Sequence, residues 1–180
     1  MKKTLLIISI LSIIFLTGCS GIFNLNGWIW PEDDLEFMAM VEELDTPQKI
    51  SDYMICNFIY KTNAIYAPNP YALWKIKEGD CNDFATFGVF VAHWHGYETY
   101  LIKILYDNTL KKHWIAVYTE DDGLSFTDCQ YYFNNYGYFF DTFREIVDFD
   151  CKYFPDKELK KYIVRDYENN IVEVGYSYVH

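Results

Sequence analysis

The sequence predicts an α+β fold in which a buried helix packs on an antiparallel β-sheet. Two patterns carry that reading. Apolar residues recur at helical spacing between residues 31 and 96, and the pattern switches to strand-like alternation after residue 100. Composition supplies the third observation: of 180 residues, 51% are hydrophobic and 20% aromatic, enough for one packed core and too apolar for a disordered chain. No internal repeat, low-complexity tract or second domain interrupts the chain.

Residues 31–44 read as the first helix, with Pro31, Glu32, Asp33 and Asp34 in a first turn that suits both proline and the helix dipole. A second helix runs from Thr46-Pro47 to about Tyr60, capped by Thr46, with Ile50, Tyr53, Met54 and Phe58 on its apolar stripe and Ile55 as a further candidate for it. Pro68-Asn69-Pro70 marks a loop, and a short helix spans residues 71–76. The central helix lies between Asp80, a natural N-cap, and Gly96, a natural stop. It has a small-residue stripe (Cys81, Ala85, Gly88, Ala92) and a bulky one (Phe84, Phe87, Val91, Trp94), with Asn82, Asp83, Thr86 and His93 as its polar edge. A helix apolar on two sides is expected in the middle of a domain. Strands follow at 100–106, 112–119 and 124–128. A short helix at 140–148 is capped by Asp141, and a hairpin of 161–167 with 171–179 turns at Asn169-Asn170.

Ahead of this domain, residues 1–18 read as a secretory leader. Lys2 and Lys3 precede a 14-residue apolar stretch, Thr4 to Thr17, shorter than the roughly 20 residues of a spanning helix. Leu16-Thr17-Gly18-Cys19 has the form of a lipobox. The expectation is therefore a signal peptide at 1–18, lipidation of Cys19, a tether at 19–30 and a domain at 31–180, anchored to a bacterial envelope membrane and facing outside the cytoplasm. An ordinary signal peptide or short anchor helix is the plainer alternative.

The formal charge is −11, and removal of residues 1–18 leaves 13 basic and 26 acidic residues, a charge of −13. Such a surface repels phosphate backbones, which argues against nucleic acid, and it suits basic peptides better than anionic lipid headgroups. The chain has neither an HExxH nor a paired CxxC motif, and His93 and His95 do not share a helix face. No metal or other cofactor is expected. With Cys19 assigned to lipid, Cys56, Cys81, Cys129 and Cys151 remain, in no dense disulfide framework.

Cys81 opens the central helix, where partial positive charge and unpaired amides favour a thiolate and offer donors to an oxyanion. A thiolate nucleophile needs a histidine to move its proton. His113 begins the strand His113-Trp114-Ile115-Ala116-Val117, sharing a face with Ile115 and Val117. If Asp121-Asp122 is a two-residue hairpin loop, Asp128 pairs with Ile115 and lies diagonal to His113. Diagonal neighbours sit roughly 7–8 Å apart, within reach of long side chains. Asp128 would then orient the imidazole, whereas a three-residue loop would turn it to the other face. Each of the three also has a bland reading: an inert buried thiol, a structural histidine and a turn acid.

Gly79-Asp80-Cys81-Asn82-Asp83-Phe84-Ala85 resembles the nucleophile motif of the transglutaminase-like superfamily, in which Gly-x-Cys opens a buried helix. His113-Trp114-Ile115-Ala116-Val117 is similar to its histidine strand, and Phe126-Thr127-Asp128 to its strand-ending aspartate, at spacings of 32 and 15 residues. The resemblance covers roughly residues 47–135. It implies a papain-like fold, with Cys81 as nucleophile, His113 as general base and acid, and Asp128 as orienter. It further implies acyl transfer from a peptide or amide through a thioester, ending on water (protease or amidase) or on an amine (transglutaminase). Related enzymes use a side-chain oxyanion donor upstream of the cysteine. Trp74 is the candidate here, set against the reading that it is simply packed. The Tyr131 to Phe140 run is a packed or rim loop, or else lines a substrate groove. The rival class is a catalytically silent envelope lipoprotein that keeps the fold for binding.

Overall fold

The computed structural model describes residues 34–62, 69–107, 111–134, 137, 139–153 and 158–177. The leader, Cys19 and the tether lie outside these residues, so the lipoprotein expectation stands apart from the fold.

Helices α1 (Leu35–Glu43), α2 (Pro47–Asn57), α3 (Pro70–Ile76) and α4 (Cys81–Trp94) precede a six-stranded antiparallel sheet. Its strands are β3 (Thr99–Tyr106), β4 (Lys112–Glu120), β5 (Gly123–Asp128), β6 (Tyr131–Phe133), β7 (Leu159–Asp166) and β8 (Ile171–Tyr176), in the order β6-β5-β4-β3-β7-β8. Helix α5 (Phe143–Tyr153) is inserted between β6 and β7. A minimal parallel pair, β1 (Ile59–Tyr60) with β2 (Glu78–Gly79), leads straight into α4. The α+β class and the antiparallel sheet are thus as the sequence predicts. Among the described residues no helix is long and apolar enough to cross a membrane.

Several boundaries differ from expectation, each for a local reason. Asp34 is the cap of α1 rather than part of its first turn. Its backbone is extended and its carboxylate accepts from Phe37 N–H at 3.1 Å. Helix α2 stops at Asn57 because residues 58–60 extend to pair with β2. Helix α5 begins at Phe143, with Thr142 Oγ1 accepting from Glu145 N–H at 3.2 Å, so Thr142 and not Asp141 caps it. The helix runs five residues past the predicted end, to Tyr153.

The sheet is covered on both faces. Helix α4 packs with Ala116 and Tyr118 on one side, and α5 contributes Ile146 and Val147 to a second cluster with Ile102, Ile104, Ile115, Val117 and Phe126. The small-residue stripe of α4 explains how closely it sits. A Cβ on Gly88 would lie 2.4 Å from Tyr118 Oη, which is itself held by Thr127 Oγ1 at 2.8 Å. Gly88→Ala should therefore lower stability by about 1–3 kcal/mol, an overpacking cost readable as a drop in denaturation midpoint. The face expected to be polar is only partly so. Thr86 is buried, whereas Trp94, assigned to the bulky stripe, is exposed and donates its indole N–H to Glu42 at 2.9 Å.

Candidate active site

Cys81, His113 and Asp128 come together where the N-terminus of α4 meets the ends of β4 and β5. The chain builds this place from both directions. Asp80 Oδ1 accepts from the amides of Asn82 (2.9 Å) and Asp83 (3.4 Å), and Asp83 Oδ2 accepts from the Asp80 amide (2.9 Å), closing a capping box. Gly79 permits it, since a Cβ there would lie 2.7 Å from Asp83 Cβ and 2.8 Å from Leu73 Cδ1. The glycine of the motif is thus a packing requirement. The cap also narrows an expectation: the amides of Asn82 and Asp83 go to Asp80 Oδ1, and that of Phe84 to Asp80 O. Of the first-turn donors only the Cys81 amide lies outside the cap.

The hairpin has the two-residue loop. Glu120 pairs with Gly123 and Ile115 with Asp128, so Asp128 is diagonal to His113 on the same face. Asp128 Oδ1 lies 2.6 Å from His113 Nε2. Cys81 lies close enough to the same ring to act on its protonation. Burial pushes the imidazole pKa down, but Asp128, Cys81 and the charge of Asp150 outweigh it, and the pKa is raised to about 10. An imidazolium is accordingly the resting form at neutral pH.

No family model matches this chain, and no curated protein matches it.

Two further groups belong to the site and were missed by sequence reasoning. Asp150 of α5 is buried, accepts from Tyr106 Oη at 3.2 Å, and brings Oδ1 to 3.9 Å from His113 Nε2. Cys129 follows Asp128 in a left-handed backbone conformation (φ 52°), and its sulfur lies within 4.8 Å of the His113 and Asp128 donor atoms. Burial, then the charges of Asp128 and Cys81, push its thiol far up, so it is a neutral SH. The only signal for Cys129 was its adjacency to Asp128. Asp150 lay beyond the predicted end of its helix. Tyr60 borders the same sulfurs: burial, then Cys81, Cys129 and Asp80, push its phenol up to about 12.

Gln130 fixes the turn that carries Asp128 and Cys129. Its Nε2 donates to the carbonyls of Met54 and Phe58 at 2.7 Å each, and its own carbonyl accepts from the buried Ser51 hydroxyl at 2.5 Å. Phe58 is the C-cap of α2 and its amide also donates to Met54 O at 2.9 Å, so Gln130 closes off the C-terminal end of that helix. Gln130→Ala should cost about 1–3 kcal/mol by chemical denaturation, and loosen the turn.

The remaining candidates are placed otherwise. Trp74 packs edge-on against Phe37 and stacks on Tyr71, as the packed reading has it. His95 Nε2 meets Val41 O at 2.8 Å, and His93 stacks on Tyr167. Within the aromatic run, Phe133 stacks on Phe126 (5.0 Å), Phe140 is buried, and Tyr132 donates to Glu120 at 2.7 Å, so these residues are packing. Among the described residues, Cys56, Cys81, Cys129 and Cys151 form no disulfide with one another.

Proposed function

We propose that the protein is a cysteine-dependent acyl-transfer enzyme of the transglutaminase-like, papain-related type, acting on a peptide or amide at the cell surface. The observation that carries this reading is the convergence of Cys81, at a helix N-terminus, with a His113 ring that Asp128 holds at 2.6 Å and whose pKa Asp128 and Cys81 together raise. In the reaction, Cys81 Sγ, its proton resting on His113, attacks the carbonyl carbon of the substrate as a thiolate. The Cys81 amide meets the oxyanion, and His113 gives its proton to the leaving amine as the C–N bond breaks, which leaves a thioester and a neutral imidazole. His113 then takes a proton from the acceptor, which displaces Cys81. Water gives hydrolysis and an amine gives transamidation, and a surface address favours hydrolysis. Asp128 holds the ring and stabilises its charged form.

The test is acyl capture. Purified protein treated with an activated acyl ester should carry one acyl group on Cys81 by peptide mass mapping, should release it to water or to added amine, and should lose both with Cys81→Ser. Acylation spread over Cys56 and Cys151, with Cys81 unmodified, refutes the reading.

The address is a separate proposal. Residues 1–18 act as the signal peptide, and Cys19 carries lipid that holds the domain on the envelope, since multiple acyl chains anchor firmly at about 0.8 kcal/mol per buried methylene. A fatty-acid analogue fed to expressing bacteria should label the wild type and not Cys19→Ala; equal labelling of both contradicts lipidation.

A further inference from the structure

We propose that the turn after β5 completes a binding site for one zinc-class divalent ion, held by His113, Asp128 and Cys129, and that an ion there switches off the Cys81–His113 pair. One imidazole nitrogen, one carboxylate oxygen and one thiol sulfur lie within 4.8 Å of one another. Donors around a tetrahedral zinc, at about 2.0–2.3 Å from the metal, are themselves roughly 3–4 Å apart, so this triangle closes on an ion with small movements. The donor types select the ion. A nitrogen, oxygen and sulfur set suits a borderline-soft metal, whereas magnesium and calcium take oxygen ligands.

The fold holds the third donor in place. Cys129 adopts φ 52°, a conformation that non-glycine residues rarely keep without support, and the two Gln130 bonds to α2 supply that support. No sequence motif announces the set, because His113 comes from one strand and Asp128 and Cys129 from the end of the next. Cys81 is not one of the three.

Binding would release the Cys129 thiol proton, and the proton that His113 shares with Asp128, to solvent. A ring nitrogen committed to the ion, with its carboxylate partner turned to the metal, no longer cycles a proton to and from Cys81. The inhibition rests on the acyl-transfer reading; the binding does not.

The experiment uses the full-length protein titrated with cobalt(II), followed by the thiolate-to-cobalt charge-transfer absorption, with zinc as competitor. Wild type and Cys81→Ser should both bind one ion. Cys129→Ser, and Cys129→Gly (which suits the left-handed backbone), should lose the absorption and bind roughly 10–100-fold or more weakly. Zinc should slow alkylation of Cys81 in the wild type and leave it unchanged in Cys129→Gly. The proposal is overturned if wild type gives no such absorption, if the Cys129 variants keep it, or if only Cys81→Ser loses it. A protein that binds the ion as described yet cannot be acylated upholds this site and refutes the enzymatic reading alone.

Discussion

Asp128→Asn should slow alkylation of Cys81 at pH 6 by about 10²–10⁴-fold, and Asp150→Asn should slow it by much less. The asymmetry comes from geometry. Asp128 Oδ1 is 2.6 Å from His113 Nε2, a charge-assisted hydrogen bond that fixes the ring and its protonation, whereas Asp150 stands at 3.9 Å and accepts from Tyr106. An asparagine at 128 keeps the shape and removes the charge that raises the imidazole pKa. The ring becomes neutral at neutral pH, and the thiol loses the cation beside it. Asp150, buried against Tyr106, adds charge at longer range and bridges α5 to the sheet. Its loss should register more in the denaturation midpoint than in the alkylation rate. Equal rate losses in the two variants would mean that the carboxylates share the orienting role.

The second large effect is on stability against pH. Burial alone would lower the His113 pKa, yet Asp128, Cys81 and Asp150 raise it from 6.5 to about 10. A group whose folded pKa exceeds its unfolded value stabilises the fold fully below the unfolded value, and the stabilisation is lost as pH rises through the folded one. His113 should therefore contribute stability that is complete below about pH 6.5 and decays toward pH 10. At about 1.4 kcal/mol per unit, the swing is on the order of a few kcal/mol. Urea midpoints of wild type and His113→Gln, measured from pH 6 to pH 10, should converge as pH rises. A constant gap across that range would show that His113 carries no extra proton in the fold.

Much of this site was legible in the sequence because the parts that set it are local. Glu120-Asp121-Asp122-Gly123 fixed the hairpin, the hairpin fixed the Ile115–Asp128 pairing, and the period of two then placed Asp128 beside His113. Asp80 and Gly79 announced the start of α4 through capping chemistry. What escaped was non-local or too short to have a period. The pair β1–β2 is two residues long on each side, and β6 three, so neither shows alternation. Asp150 reaches His113 only because α5 runs to Tyr153 and docks on the sheet, and Gln130 finds the end of α2 more than 70 residues away in sequence. Those contacts are made by tertiary packing, which a pattern along one chain does not record.

Activation of the Cys81–His113 pair is read from the rate of alkylation of Cys81 against pH, in wild type and His113→Ala, with peptide mass mapping to separate Cys81 from Cys56, Cys129 and Cys151. Fast labelling of Cys81 that persists well below the free-thiol pKa of about 8.5 and is lost with His113 is the expected result. Labelling that rises only near that pH, and is the same with and without His113, would contradict it.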